Sequence, residues 1–255
     1  MTGRARAPRS AALFALVSAS AITALSGCGG GEDPDVGTNG VGKLPATKIE
    51  RKAKAAAGDA RAVRVHGSVT SKGQTYRLKM RLKSDGGIGE VSAKGGSTFQ
   101  LLRVEHDLYL KAGTDFWAQH EGGEEPSKSD VSAAQKLKDK YVKVPPADPA
   151  YEQLSVFTDM EALLDGLLAM EGKREAGERG SVGDTSTIRV TAGGGRGGTV
   201  DVSLEGKPYP LRLQRAGGAG TVRLSDWNDG FTLHAPKQEE TVDYGKSISS
   251  GGHTG

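Results

Sequence analysis

Cys28 is the only cysteine among 255 residues. Its sulfur therefore has no intramolecular disulfide partner and cannot belong to a cysteine-based zinc site. The histidines His66, His106, His120, His234 and His253 are scattered, without the spacing that puts two ligands on one element. No nucleophile elbow, zincin helix, Walker loop or calcium loop occurs. "GGGRGG" at 193 to 198 has the glycines of a phosphate cradle. It nevertheless lies between two alternating segments, with no helix-forming run or Gly-Lys-Ser/Thr after it, which predicts a hairpin turn. Glu121, Glu124 and Glu125 in "EGGEEP" are carboxylates of the kind a glycosidase or a cation site uses, but the neighbouring glycines and proline make a mobile loop that does not hold their separation, which argues against catalysis there. The chemistry-bearing residues thus predict no enzyme, no metal and no cofactor.

The neighbours of Cys28 give it a different task. "MTGRARAPRS" carries Arg4, Arg6 and Arg9 and no acid, and "AALFALVSASAITAL" follows as an uncharged apolar run. A basic segment followed by a short apolar one is the layout of an export signal. The run is shorter than the roughly 20 residues a membrane-spanning helix needs. "LSGC" at 25 to 28 resembles the bacterial lipobox, in which the cysteine receives a diacylglycerol thioether and becomes the new N-terminus. Residues 1–27 are accordingly read as a signal peptide and Cys28 as a lipid attachment site on the extracytoplasmic face of the cell membrane. The formal charge of +3 arises from 34 basic and 31 acidic residues, and the three signal arginines are the whole excess. A neutral mature chain argues against nucleic acid as a partner.

After Cys28, residues 28–43 are rich in Gly, Pro, Asp and Asn and read as a flexible tether. Residues 44–244 read as one domain and 245–255 as a disordered tail. Period-two alternation dominates the domain. Tyr76, Leu78, Met80 and Leu82 alternate with Arg77, Lys79, Arg81 and Lys83, which gives one apolar face and one basic ridge. Similar alternation runs through Val63, Val65 and Val69, then Ile188 and Val190, Val200, Val202 and Leu204, Leu211 and Leu213, and Val222 and Leu224. "FQLLRV" at 99 to 104 breaks the pattern, so either both its faces are covered or a bulge intervenes. Gly-rich turns at 84–87, 94–97, 193–198, 205–208 and 217–220 predict antiparallel hairpins.

Two helices are predicted against this background. One covers about 44–58 and starts at a proline. The other covers about 156–171, with Phe157, Met160, Leu164, Leu167 and Leu168 on one face and Thr158 or Asp159 as cap. A third short helix is read within 129–144. An antiparallel sheet with helices on one side is an α+β domain. Its apolar face either closes fully as a core or leaves a gap for an apolar ligand.

The order of these features resembles the actinobacterial lipoproteins of the LppX/LprA/LprF/LprG family, whose half-barrel is related to the lipoprotein carrier LolA. The resemblance is carried by Cys28, by the first helix, by "DLYLKAGTDFWAQ" with Tyr109 and Trp117, and by the closing "LSDWNDGFTLHAPKQEETVDY". It implies a strongly curved antiparallel sheet with helices packed on its concave side, enclosing acyl chains of a lipid or lipoglycan. Under that resemblance Tyr76, Leu78, Met80, Leu82, Val200, Val202, Leu211 and Leu213 form the concave wall, and Phe157, Met160, Leu164 and Leu168 form its lid. The implied role is a monomeric, lipid-anchored carrier or sensor. The basic ridge either is a solvated strand face or meets anionic headgroups. The alternative reading is an anchored interaction module with a closed core and no ligand.

Overall fold

A computed structural model describes residues 35–71, 73–94, 96–118 and 126–242. Among these residues twelve strands form one sheet. They are β1 (Ala62–Ser71), β2 (Gln74–Lys83), β3 (Gly86–Ala93), β4 (Thr98–Val104), β5 (Asp107–Ala112), β6 (Tyr141–Val144), β7 (Arg174–Val182), β8 (Thr185–Ala192), β9 (Thr199–Ser203), β10 (Pro210–Gln214), β11 (Thr221–Ser225) and β12 (Thr241–Val242). Five α-helices accompany them among the described residues: α1 (Ala46–Gly58), α2 (Thr114–Ala118), α3 (Lys128–Leu137), α4 (Pro149–Ser155) and α5 (Met160–Leu168). The fold is α+β, as the alternation predicts.

The spatial order is β12-β6-β5-β4-β3-β2-β1-β11-β10-β9-β8-β7, and the curved sheet stays open. All pairs are antiparallel except β12 with β6. Two meanders, β1 to β6 and β7 to β11, meet where β1 pairs with β11. The link from β6 to β7 must therefore travel almost from one edge of the sheet to the other. It carries α4 and α5 and crosses on the apolar side, where the leucines of α5 join the core of the sheet. A second crossing, 226–240, returns from β11 to β12. It is held by Asn228 N–H on Ala62 O at 2.9 Å, by Phe231 4.4 Å from the Arg81 guanidinium, and by Lys140 Nζ on Glu239 O at 2.8 Å.

Register explains which side is which. Val63 faces Leu82 and Val65 faces Met80 between β1 and β2, so the apolar alternation of both strands falls on one face. On β3 that face carries Gly87 and Gly89 opposite Leu82 and Met80. A Cβ at Gly89 would lie 2.6 Å from the Met80 sulfur, and one at Gly87 would lie 2.5 Å from Leu82 Cδ2 and 3.1 Å from Thr158 O. These glycines let large side chains, and the backbone ahead of α5, press directly on the sheet. The turn at 193–198 is a hairpin connection as expected. Its Gly197 is required, because a Cβ there would stand 1.7 Å from Glu171 O.

Several expectations change. Asp35–Lys43 is docked on the domain instead of serving as tether. Asn39 N–H donates to Leu204 O at 2.7 Å, its Nδ2 reaches Ser203 O at 3.0 Å, and Val41 is 3 % exposed. The compact unit accordingly begins at Asp35. The second predicted helix is shorter, since Asp159 caps α5 by accepting from Ala162 N–H at 2.9 Å. Residues 129–144 hold α3 and then β6, because "YVKV" alternates and pairs with β5. In "FQLLRV" both faces are covered: Leu101 and Leu102 are 0 % and 4 % exposed with an uninterrupted β3–β4 register. Strands β3, β5 and β7 complete the sheet. β7 is an edge strand, exposed along most of its length, whose charges and register shift between Ala176 and Arg179 protect it from further pairing.

Candidate ligand-binding site

The proposed wall and lid do come together. Leu78, Met80, Leu82, Val200, Val202 and Leu213 from the sheet share one apolar cluster with Met160, Leu164 and Leu168 from α5. α1 contributes Ile49, Ala53 and Ala57, and the alanines let that helix sit close against its strands. Tyr76 and Phe157 lie at the margin, with ring centroids 5.7 Å apart. Phe157 is not on the helical face, because it belongs to the turn before Asp159. Leu211 does not join the wall. The register shifts between Pro210 and Arg212, so Leu211 falls at a bulge and is only half-buried outside the cluster. Leu163 takes a place on the inward side of α5 that helical spacing from Met160 and Leu167 allows.

This arrangement is a packed core. Leu78, Leu82 and Val202 have no exposed surface and Met160 and Leu164 keep 7 % and 4 %. Burying each such side chain contributes about 1.5–3 kcal/mol, which favours a filled interior over an empty groove. A separate polar depression of about 320 Å³ lies between Thr98, Gln100, Lys111 and Asp139, at the β4–β5 end of the sheet.

Two arginines hold the crossing segment down. Arg103 is placed on the inner face of β4, opposite Gly87 and Leu108. Its Nη2 donates to Thr158 O at 2.9 Å and approaches Asp159 Oδ2 at 3.4 Å, while Nη1 donates to Glu105 O at 3.0 Å. Its buried Nε has no partner among the described residues. Arg215, after β10, donates through Nη1 to Leu167 O at 3.1 Å and Ala169 O at 3.3 Å, and also to Gly166 O. A cation at those carbonyls complements the negative end of α5, just as Asp159 complements the positive end. Neither arginine follows from amphipathic pattern. The sequence signal for Arg103 is an arginine at an inward position of a strand.

α1 is fastened similarly. Arg174 on β7 reaches Glu50 through Nε at 2.7 Å and Nη2 at 3.1 Å. That hydrogen bond holds the Glu50 carboxyl below its ordinary value despite the opposing effect of burial. His66, His106 and His234 are exposed, and no group of three or more metal-capable side chains occurs among the described residues. Cys28, His120, Glu121, Glu124, Glu125, His253 and the tail at 245–255 lie outside the described residues. Among the described residues no helix is long and apolar enough to cross a membrane.

An open antiparallel sheet crossed by a leucine-rich helix can be compared with solved structures. LprF from Mycobacterium bovis superposes with a TM-score of 0.51 at 14 % identity, over 75 % of this chain and 96 % of that one. The fold is that of LprF. It is a likeness of backbone, at an identity too low to carry residue roles from one protein to the other. An uncharacterized conserved protein from Thermus thermophilus aligns over 78 % of this chain and 98 % of its own, with 10 % identity and a TM-score of 0.34. The MucA/MucB complex of Pseudomonas aeruginosa aligns over 76 % of this chain and 59 % of its own, with 13 % identity and a TM-score of 0.28. No protein-family model and no curated protein matches the sequence. The LprF-like half-barrel is thus where the sequence resemblance placed the chain.

Proposed function

We propose that the chain is a lipid-anchored extracytoplasmic protein that takes up acyl chains of a lipid or lipoglycan between its sheet and α5, as a carrier or sensor. The observation that carries this reading is the separateness of the cover. Beside α1, the inner face of the sheet is covered by a crossing segment fastened at its two ends by Arg103 and Arg215, and not by further strands. Lifting α5 breaks a few hydrogen bonds at two points and opens one contiguous apolar surface, which an acyl chain re-covers at about 25 cal/mol per Å². The LprF-like fold and the family resemblance support the same ligand class.

The anchor belongs to the proposal. Six residues separate Cys28 from the docked Asp35, and fully extended they reach about 20 Å. A diacylglycerol on Cys28 would hold the domain close to the bilayer, and two or more acyl chains suffice for stable attachment where one is marginal. Full burial of the inner-face leucines favours a second reading, an anchored interaction module with no ligand. Native mass spectrometry of the protein extracted gently from the cells that make it separates the two. Co-purifying lipid, or uptake of fluorescent fatty acid after delipidation, supports the carrier. A protein that is free of lipid and takes up none supports the closed module.

A further inference from the structure

Arg174, Arg189 and Arg103 use the same edge of the guanidinium differently. Arg174 sets Nε and Nη2 on the Glu50 carboxylate at 2.7 and 3.1 Å, and Arg189 sets Nε and Nη2 on that of Asp201 at 2.8 and 3.3 Å. Two parallel N–H groups match the two oxygens of a carboxylate. At Arg103 the edge is half used. Nη2 donates to a neutral main-chain oxygen, that of Thr158, and reaches Asp159 Oδ2 only at 3.4 Å. Nε is buried and meets no acceptor among the described residues, although the side chain is only 12 % exposed. A buried donor left unpaired is a cost to the fold.

Both partners of Nη2 belong to the crossing segment. Asp159 Oδ1 accepts from Ala162 N–H at 2.9 Å, which keeps that carboxylate with α5. When α5 lifts, Arg103 stays on β4 between Gly87 and Leu108, and among the described residues the Glu105 main-chain oxygen is its remaining acceptor. A neutral ligand would then cover an unpaired cation, which is costly in an apolar interior. An anionic end group removes that cost. Arg215, at the other end of α5, donates through Nη1 and is only half-buried, so water can replace its carbonyls when the helix moves.

We propose that Arg103 receives the carboxylate of a single-chain fatty acid, its Nε and Nη2 taking the two oxygens once the Thr158 oxygen has left. This rests on the acyl binding proposed above and adds the end group of the ligand. One guanidinium matches a monoanion. A phosphate dianion asks for more positive charge, and the Asp159 carboxylate close by opposes it.

The test compares palmitic acid, methyl palmitate, hexadecanol and hexadecyl phosphate at neutral pH, below their aggregation limits, as competitors of an uncharged fluorescent dye on the delipidated chain. The acid should bind about tenfold or more tightly than its ester and its alcohol. Arg103→Gln should erase that preference, and Arg103→Lys, which keeps the charge without the fork, should retain only part of it. Arg215→Ala should move the affinities of acid and ester together and keep their ratio, which separates head-group binding from a loosened strap. If the Arg103 variants fail to fold, the ratio in the parent chain still decides. Equal affinity for acid and ester in the parent, a ratio unchanged by Arg103→Gln, or tighter binding of the phosphate overturns the proposal and leaves acyl binding standing. No binding of the dye or of any of the four overturns acyl binding itself, and the proposal with it.

Discussion

Arg103 and Thr158 are joined across the interior, the guanidinium Nη2 donating to the main-chain oxygen at 2.9 Å. Thr158 has no exposed surface, and the Gly87 backbone beneath it leaves no room for a side chain. This contact and that of Arg215 with Leu167 make α5 a strap with two fastenings. The apolar cluster beneath provides most of its adhesion, and the arginines fix where it lies.

Arg215→Ala should free the C-terminal end of α5 without disturbing the sheet. The expected cost is about 1–3 kcal/mol. Hydrogen exchange should quicken across residues 160–169 while β1 and β2 stay protected. Unchanged exchange in α5 would show that the arginine is not a fastening.

Leu164→Ala removes a buried side chain from the middle of the strap and should destabilise the unliganded protein by about 2–5 kcal/mol. Under the proposed function, part of that loss returns when fatty acid is added, since the ligand occupies the space and binds only the folded state. Thermal unfolding with and without ligand checks both halves. A variant with the full loss and no recovery argues for a closed core.

Asn39→Ala tests whether the N-terminal stretch belongs to the domain. Its side chain bonds Ser203 O, Gly206 O and Val41 N–H. Urea unfolding should show a loss of about 0.5–1.5 kcal/mol. A flexible tether would show none.

Glu50 and Arg174 give a pH dependence with a definite sign. The folded carboxyl is held below its ordinary 4.5, mainly by the hydrogen bond from Arg174. Its contribution is therefore complete above that value and is lost as the pH falls through the lower folded value. Stability against urea should be flat near neutrality and decline below about pH 4.5. Glu50→Gln should cost about 1–3 kcal/mol near neutrality and flatten the acid limb. An acid limb unchanged by the substitution would place the sensitivity elsewhere.

How much of this was legible in the sequence depends on how each residue is satisfied. Tyr76 through Leu82 announced both their strand and its buried face, because one side of β2 packs and the other is solvated. β7 stayed hidden, since "REAGERGSV" is exposed on both sides and is held by backbone pairing and by Arg174 on Glu50. Alternation puts Leu211 on the wall, and the structure does not, because a one-residue bulge is invisible to a period of two. The helical face read from Phe157 begins too early, because Asp159, one of the two expected caps, closes the helix behind it. The inner-face leucines are legible by pattern, whereas Arg215 acts through backbone carbonyls distant in sequence and leaves no local signal, and Arg103 shows only as an arginine at an inward strand position. The glycines around Asn39 read as a tether, although side-chain hydrogen bonds to Ser203 and Gly206 dock that stretch.

If α5 is a cover that an acyl chain displaces, its hydrogen exchange must respond to ligand. The decisive experiment follows exchange of residues 157–169 while the delipidated protein is titrated with a fluorescent long-chain fatty acid. Saturable uptake should come with faster exchange confined to that segment, while β1 and β2 remain protected. Absence of uptake, with identical exchange at every ligand concentration, would mean that α5 is a fixed part of a closed core.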